Sequence, residues 1–164
     1  MTQRPVSYYE ERRQVLMDTY TPNGEVAIGP AEPSTRGVHH LALVCSDLER
    51  TIAFYTEVLG MPLVKIVPNR DEPTSTHIFF DMGGGNLLAF FDFPEHHTEP
   101  TNLGVGSMHH VAITTPSDQY QTILARLRER GVQHSVHGSE TAGSIYLHDP
   151  DGIVIEITSK GFYA

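Results

Sequence analysis

A His-His pair that opens a β-type run occurs twice in this chain. His39-His40-Leu41-Ala42-Leu43-Val44 returns seventy positions later as His109-His110-Val111-Ala112-Ile113-Thr114. Each copy alternates like a β-strand, and each is followed by a Ser-Asp pair and then a helical segment that stops at a glycine. A chain of 164 residues that repeats itself at this spacing is built from two equivalent units. Neither unit is large enough to bury its own sheet face, so each must cover the other.

The two units can be followed element by element. In the first, residues 37–93, a β-type run at 40–44 precedes a helix. Ser46 with Glu49 three positions on predicts a capping box at its start. Leu48, Ile52, Tyr55 and Leu59 share one helical face, and Gly60 with Pro62 ends it. Three β-type runs follow at 63–67, 76–81 and 86–91, the last two joined by Gly83-Gly84-Gly85. The second unit, residues 107–160, repeats the order. A strand at 107–114 leads to a helix opened by Pro116, facing inward through Tyr120, Ile123, Leu124 and Leu127, and ended by Gly131. Strands at 132–137, 143–148 and 153–158 complete it, with Asp149-Pro150-Asp151-Gly152 as the last turn. A polar, Pro- and Gly-bearing linker, 94–106, joins the units. The expected fold is α+β: two tandem β-α-β-β-β modules closing into a curved, barrel-like mixed sheet around a shared site. Residues 1–36 stand apart as an N-terminal extension. Tyr8, Tyr9, Arg12, Val15, Leu16 and Thr19 lie on one face of a short helix, and the prolines and glycines after it oppose regular structure.

Charge and composition narrow the function. A formal net charge of −9 opposes a nucleic-acid surface, which needs clustered Lys and Arg. No apolar run approaches the roughly 20 residues that span a bilayer, and no secretory signal opens the chain. A single cysteine, Cys45, permits no internal disulfide and fits a reducing cytoplasm.

The chemistry-bearing residues are the repeated histidines and one carboxylate. Adjacent strand residues point to opposite faces, so one histidine of each pair can enter a shared cavity; alternation alone does not say which. Glu156 stands between Ile155 and Ile157, where a carboxylate is costly unless a positive partner meets it. Two imidazoles and one carboxylate hold a divalent metal while leaving positions open.

The two β-α-β-β-β modules, the paired His-His strands and the closing run from Asp149 to Ile157 resemble the vicinal oxygen chelate superfamily. That group includes glyoxalase I, methylmalonyl-CoA epimerase, the fosfomycin-resistance transferases, bleomycin-binding proteins and type I extradiol dioxygenases. The resemblance spans about Gly37 to Thr158. It implies that His40 and His110, the residues directly before the apolar alternation, are the metal ligands, with Glu156 as the third. Glyoxalase I and the epimerase use a fourth ligand; matching Gly85 to Gly152 puts Ala89 at that position, where alanine cannot coordinate. What remains is the 2-His-1-carboxylate set that the extradiol enzymes use with Fe(II) and the fosfomycin transferases with Mn(II).

The resemblance further implies pocket roles for Tyr146 and, nine residues before it, His137. It also brings Asn86 into the substrate pocket, where the two-domain extradiol enzymes carry an acid–base histidine. Phe79, Phe90 and Phe91 are candidates for an apolar wall, with alternation admitting Phe79 and one of the other two. The function expected is a divalent-metal enzyme, Fe(II) being favoured over Mn(II), Zn(II) or Ni(II). It cleaves a catechol-like substrate that presents vicinal oxygens, with Tyr146 and His137 as catalytic groups. The alternatives are a glyoxalase- or fosfomycin-transferase-like lyase, isomerase or transferase, and a non-catalytic small-molecule-binding resistance protein. A cytoplasmic homodimer is expected. If the modules swap between subunits, His40 and the pair His110 and Glu156 come to one site from different chains.

Overall fold

The computed structural model describes residues 5–21, 34–94, 99 and 101–160. The chain divides into two compact units, Met1–Gly37 and Val38–Ala164. In the first, α1 (Val6–Tyr20) forms where a short helix is expected, but it is not amphipathic: none of its residues is buried, and Val15, Leu16 and Met17 are exposed. The Pro- and Gly-bearing stretch after it falls outside the described residues.

The second unit runs β1 (His40–Val44), α2 (Leu48–Ala53), β2 (Leu63–Pro68), β3 (Thr76–Asp81), β4 (Leu87–Phe91), β5 (Val111–Thr114), α3 (Ser117–Glu129), β6 (His134–Gly138), β7 (Gly143–His148) and β8 (Val154–Thr158). The strands form two four-stranded sheets of matching order, β1-β4-β3-β2 and β5-β8-β7-β6. In each, the first strand pairs parallel with the last and the other pairings are antiparallel. The mixed α+β architecture is the one expected. The two tandem modules form two separate four-stranded sheets, and among the described residues no closed barrel forms.

The reason lies in the burial of their faces. Leu41 and Leu43 of β1, Ile78 and Phe80 of β3, and Leu88 and Phe90 of β4 pack into a core shared with Tyr55 and Val58. From the second sheet Val111, Ile113, Ile145, Leu147, Ile155 and Ile157 enter the same core with Tyr120, Ile123, Leu124 and Leu127 of α3. Each such side chain is worth about 1.5–3 kcal/mol when fully buried. Both modules therefore bury the face that carries the helix; the other face is open on the edge strands β1 and β5, while Phe79 and Ala89 of that face in the first sheet are buried. On β1 that open face is His40, Ala42 and Val44; on β5 it is Ala112 and Thr114.

Between α2 and β2 the helix widens into a π-helical turn, Phe54–Val58, which turns Phe54, Tyr55 and Val58 all inward. The expected capping box is replaced. Asp47 caps α2, its carboxylate accepting from the Arg50 N–H at 2.8 Å. Ser46 instead gives its N–H and hydroxyl to Asp151, at 2.9 and 2.5 Å, and Arg50 joins the same carboxylate at 2.9 Å. Beside this contact the Tyr55 hydroxyl donates to Asp149 Oδ2 at 3.1 Å, so the turn before β8 is tied to the first module at two points.

Candidate metal centre

The second sheet carries one row of polar side chains across its open face. His110 stands just before β5, Glu156 is on β8, Tyr146 on β7 and His137 on β6. Register sets the row: Ala112 pairs with Glu156, and Glu156 with Tyr146. His110 Nε2 lies 3.1 Å from Glu156 Oε2. The Glu156 carboxylate, paired across from Tyr146, holds the Tyr146 hydroxyl's pKa above the ordinary phenol value. His137 meets the Tyr146 ring edge-on at 5.3 Å, and His110 does so at 6.1 Å from the other side. Four of the residues singled out from the sequence thus stand together.

The equivalent row on the first sheet has kept only its histidine. Ala42 pairs with Ala89, and Ala89 with Phe79, so Ala89 occupies the place of Glu156 and Phe79 that of Tyr146. The His40 ring stands 5.9 Å from Phe79, with Lys65 Nζ 5.3 Å from the same ring.

One of the expected pocket residues, Phe90, is corrected, while Asn86 lines the cleft of about 700 Å³. Phe90 pairs with Leu43, on the face opposite His40, and is fully buried against Tyr55 and Phe80. Phe91, opposite Val44, is the aromatic on the His40 face. Asn86 spends its amide on the hairpin turn, donating to Gly84 O at 3.2 Å and Gly83 O at 3.4 Å. A further histidine, His77 on β3, stands out on this face. His77 is stacked on Phe91 at 3.6 Å with Phe79 4.0 Å away, its ring 6.4 Å from His40. Its Nε2 is buried with no hydrogen-bond partner among the described residues. Burial, then the nearby His40 and Lys65, hold its pKa below the ordinary imidazole value. Strand parity put it on the His40 face; nothing in the sequence signalled the unpartnered nitrogen.

His40 does not join His110 and Glu156 within one chain. Among the described residues no three His, Cys, Asp or Glu side chains stand close enough to hold an ion together. Two clefts, of about 700 and about 570 Å³, run between the modules, and neither is lined by His40, His110 or Glu156. The donor set nevertheless fits a divalent ion. Imidazole nitrogen and carboxylate oxygen already face one gap at 3.1 Å, and such N/O donors suit iron, manganese and zinc.

Among proteins of known sequence, the chain is 32% identical over 103 residues to "Putative ring-cleaving dioxygenase MhqA" of Bacillus subtilis (strain 168), which covers 60% of this chain. The matched part is 32% of the MhqA length, so the chain spans about a third of that relative. It is 24% identical over 122 residues to the glutathione transferase FosA of Serratia marcescens, covering 74% of this chain and 79% of FosA. In fold it matches a point mutant of the genomically encoded fosfomycin resistance protein FosX from Listeria monocytogenes, a structure holding Mn(II) and 1S,2S-dihydroxypropylphosphonic acid. That likeness has a TM-score of 0.59 at 20% identity and covers 79% of this chain and 96% of FosX. The family model described as Glyoxalase/Bleomycin resistance protein/Dioxygenase superfamily matches residues 37–157. The chain belongs to that superfamily.

Proposed function

We propose that this chain is a divalent-metal-dependent enzyme acting on a small molecule with vicinal oxygens. Its site is completed by a second copy, with His40 from one subunit and His110 and Glu156 from the other. The observation that carries this reading is the pre-formed His110–Glu156 pair on an open sheet face, while its repeat-related partner His40 stands on the open face of the other sheet. A twofold arrangement that laid the first sheet of each copy over the second sheet of the other would cover both open faces at once. It would yield two identical sites.

The ion when bound supplies Lewis acidity, lowering the pKa of a coordinated substrate hydroxyl. The protein's own groups do the rest. Tyr146, paired across from Glu156, would orient a substrate oxygen at the site. His137, edge-on to Tyr146, takes or returns a proton at that oxygen. Phe79, Phe91 and His77 form an aromatic wall on the His40 side, suited to an aromatic ligand. That wall and the likeness to MhqA support Fe(II)-dependent cleavage of a catechol-like aromatic. The second reading is a transferase or isomerase using Mn(II). It is favoured by the match to FosA over 79% of that protein's length, where the match to MhqA spans 32%. Either enzyme is a cytoplasmic homodimer in this reading, consistent with a lone buried cysteine.

Mixing two disabled variants tests the composite site. His40→Ala and Glu156→Ala homodimers each lack a ligand at both sites and bind little metal. After subunit exchange half of the dimers are mixed, and each mixed dimer has one intact site, so metal uptake recovers to about a quarter of wild type. A mixture that binds no more metal than its parents rules out the shared site. Oxygen uptake with a catechol panel then separates the two reaction classes.

A further inference from the structure

The two histidine pairs hold a geometry that the sequence reading excluded. Adjacent strand residues point apart, yet His39 Nδ1 lies 2.8 Å from His40 Nδ1, and His109 Nδ1 lies 2.7 Å from His110 Nδ1. Ring centroids are 5.1 and 4.9 Å apart, with an interplanar angle of 78° in both. The backbone permits this because neither pair is wholly within a strand: β1 begins at His40, and β5 begins only after His110, at Val111. Two modules of different sequence have therefore kept one side-chain contact at the residue expected to ligate.

We propose that His39 and His109 are positioning residues that set the tautomer of the ligand imidazole following each of them, so that Nε2 presents its lone pair to the ion. The inference rests on the metal-site reading above.

Two imidazole nitrogens at this distance need one proton between them. With none, two lone pairs oppose each other; with two, both N–H groups clash. The rings of a pair are thus coupled. Without an ion, the contact of His110 Nε2 with Glu156 at 3.1 Å calls for the His110 proton on Nε2. Its Nδ1 then accepts from His109 Nδ1–H. When an ion takes the lone pair of Nε2, the His110 proton belongs on Nδ1. That N–H now donates to His109, whose own proton moves to its exposed Nε2. Each ring carries one proton before and after, and the contact between the rings is satisfied in both states.

A ring nitrogen suits this place because it can donate in one state and accept in the other. A backbone carbonyl could only accept, and a lysine could only donate. Ligating histidines generally pass their second N–H to a fixed acceptor, and loss of that acceptor weakens metal binding roughly 10–100-fold. Here the acceptor can itself invert. For His39 the same contact operates without a carboxylate at the far nitrogen. The second sheet holds Glu156 at the position that Ala89 takes in the first.

The test uses the full chain, stripped of metal and titrated with Zn(II) against a chromophoric chelator. His109→Phe keeps a ring and removes both donor and acceptor. His109→Asn keeps an amide that accepts in one orientation and donates in the other. The expected result is a loss of affinity of roughly 10–100-fold in His109→Phe with most of it recovered in His109→Asn, and the same pattern for His39. Long-range ¹⁵N–¹H spectra of the Zn(II)-loaded wild type should show His110 protonated on Nδ1 and His109 on Nε2. Because His109 is exposed, thermal unfolding of the metal-free variants should match wild type. Unchanged affinity in His109→Phe, or zinc on Nδ1 of His110, overturns the inference while leaving the metal site intact. A wild type that takes up no zinc overturns the metal-site reading and the inference with it.

Discussion

Tyr55→Phe isolates the bond that ties the first module to the turn before β8. The substitution keeps the ring in its fully buried place, so no cavity opens and packing is unchanged. What it removes is the hydroxyl that donates to Asp149 Oδ2 at 3.1 Å. Asp149 is 5% exposed, and its other oxygen already accepts from the Asp151 and Ile153 N–H groups at 2.9 and 2.8 Å. Losing one hydrogen bond to a buried, charged acceptor costs about 1.5–3 kcal/mol, against about 0.5–1.5 kcal/mol for a neutral pair. At an m value of about 2 kcal/mol/M, the urea midpoint at pH 7.5 should fall by about 1 M.

The deficit also depends on pH, and its sign is fixed. Burial holds the Asp149 pKa above the ordinary carboxylate value, while the two backbone N–H groups and Tyr55 pull it down. Removing Tyr55's share raises the folded pKa further and leaves the unfolded value alone. The cost is therefore full at high pH and shrinks as pH falls through the folded pKa of the variant. Urea melts of wild type and variant at pH 7.5 and at acid pH check this. A deficit below about 0.5 kcal/mol at pH 7.5, or one that grows on acidification, would refute an ionised Asp149 held by Tyr55.

Three further outcomes are expected. The Cys45 thiol, 3% exposed and pushed up to about 11 by burial, should not react with a disulfide reagent at pH 8 until the protein is unfolded. Phe90→Ala should cost about 3–5 kcal/mol in urea melts without touching the His40 face, whereas Phe91→Ala should cost less stability and weaken aromatic-ligand binding. His77 has a folded pKa below its unfolded one, so the unfolded chain binds its proton first as pH falls. Wild type should lose more stability than His77→Phe between pH 7.5 and 5, as urea melts at both values would record.

The repeat carried most of the fold into view, because each module's elements follow from local period and punctuation. Tyr120, Ile123, Leu124 and Leu127 are the buried face of α3, as their helical spacing requires. Where reading failed, a distant residue had intervened. Ser46 satisfies a local capping rule, yet Asp151, 105 positions away, takes its hydroxyl and leaves Asp47 to cap α2. The Phe90 error was avoidable: matching Ala89 to Glu156 already turns Phe90 to the opposite face. The His-His contacts were out of reach, since they depend on where each strand begins, at His40 and at Val111, which hydrophobic alternation does not encode. Alternation also fixes which face of a sheet is apolar without saying what lies over the other one.

The two hairpin turns differ between the duplicated halves. The turn between β7 and β8 is clamped by Asp149 and Asp151 onto the neighbouring module. Its counterpart between β3 and β4 is Gly83-Gly84-Gly85, all three at positive φ, a run that loses more conformational freedom on ordering than any other tripeptide. Divergence has thus left one copy of the turn as an anchor for the strand that bears Glu156. The other copy is tied only to its own hairpin, through Asp81 and the Asn86 amide, beside one of the two clefts.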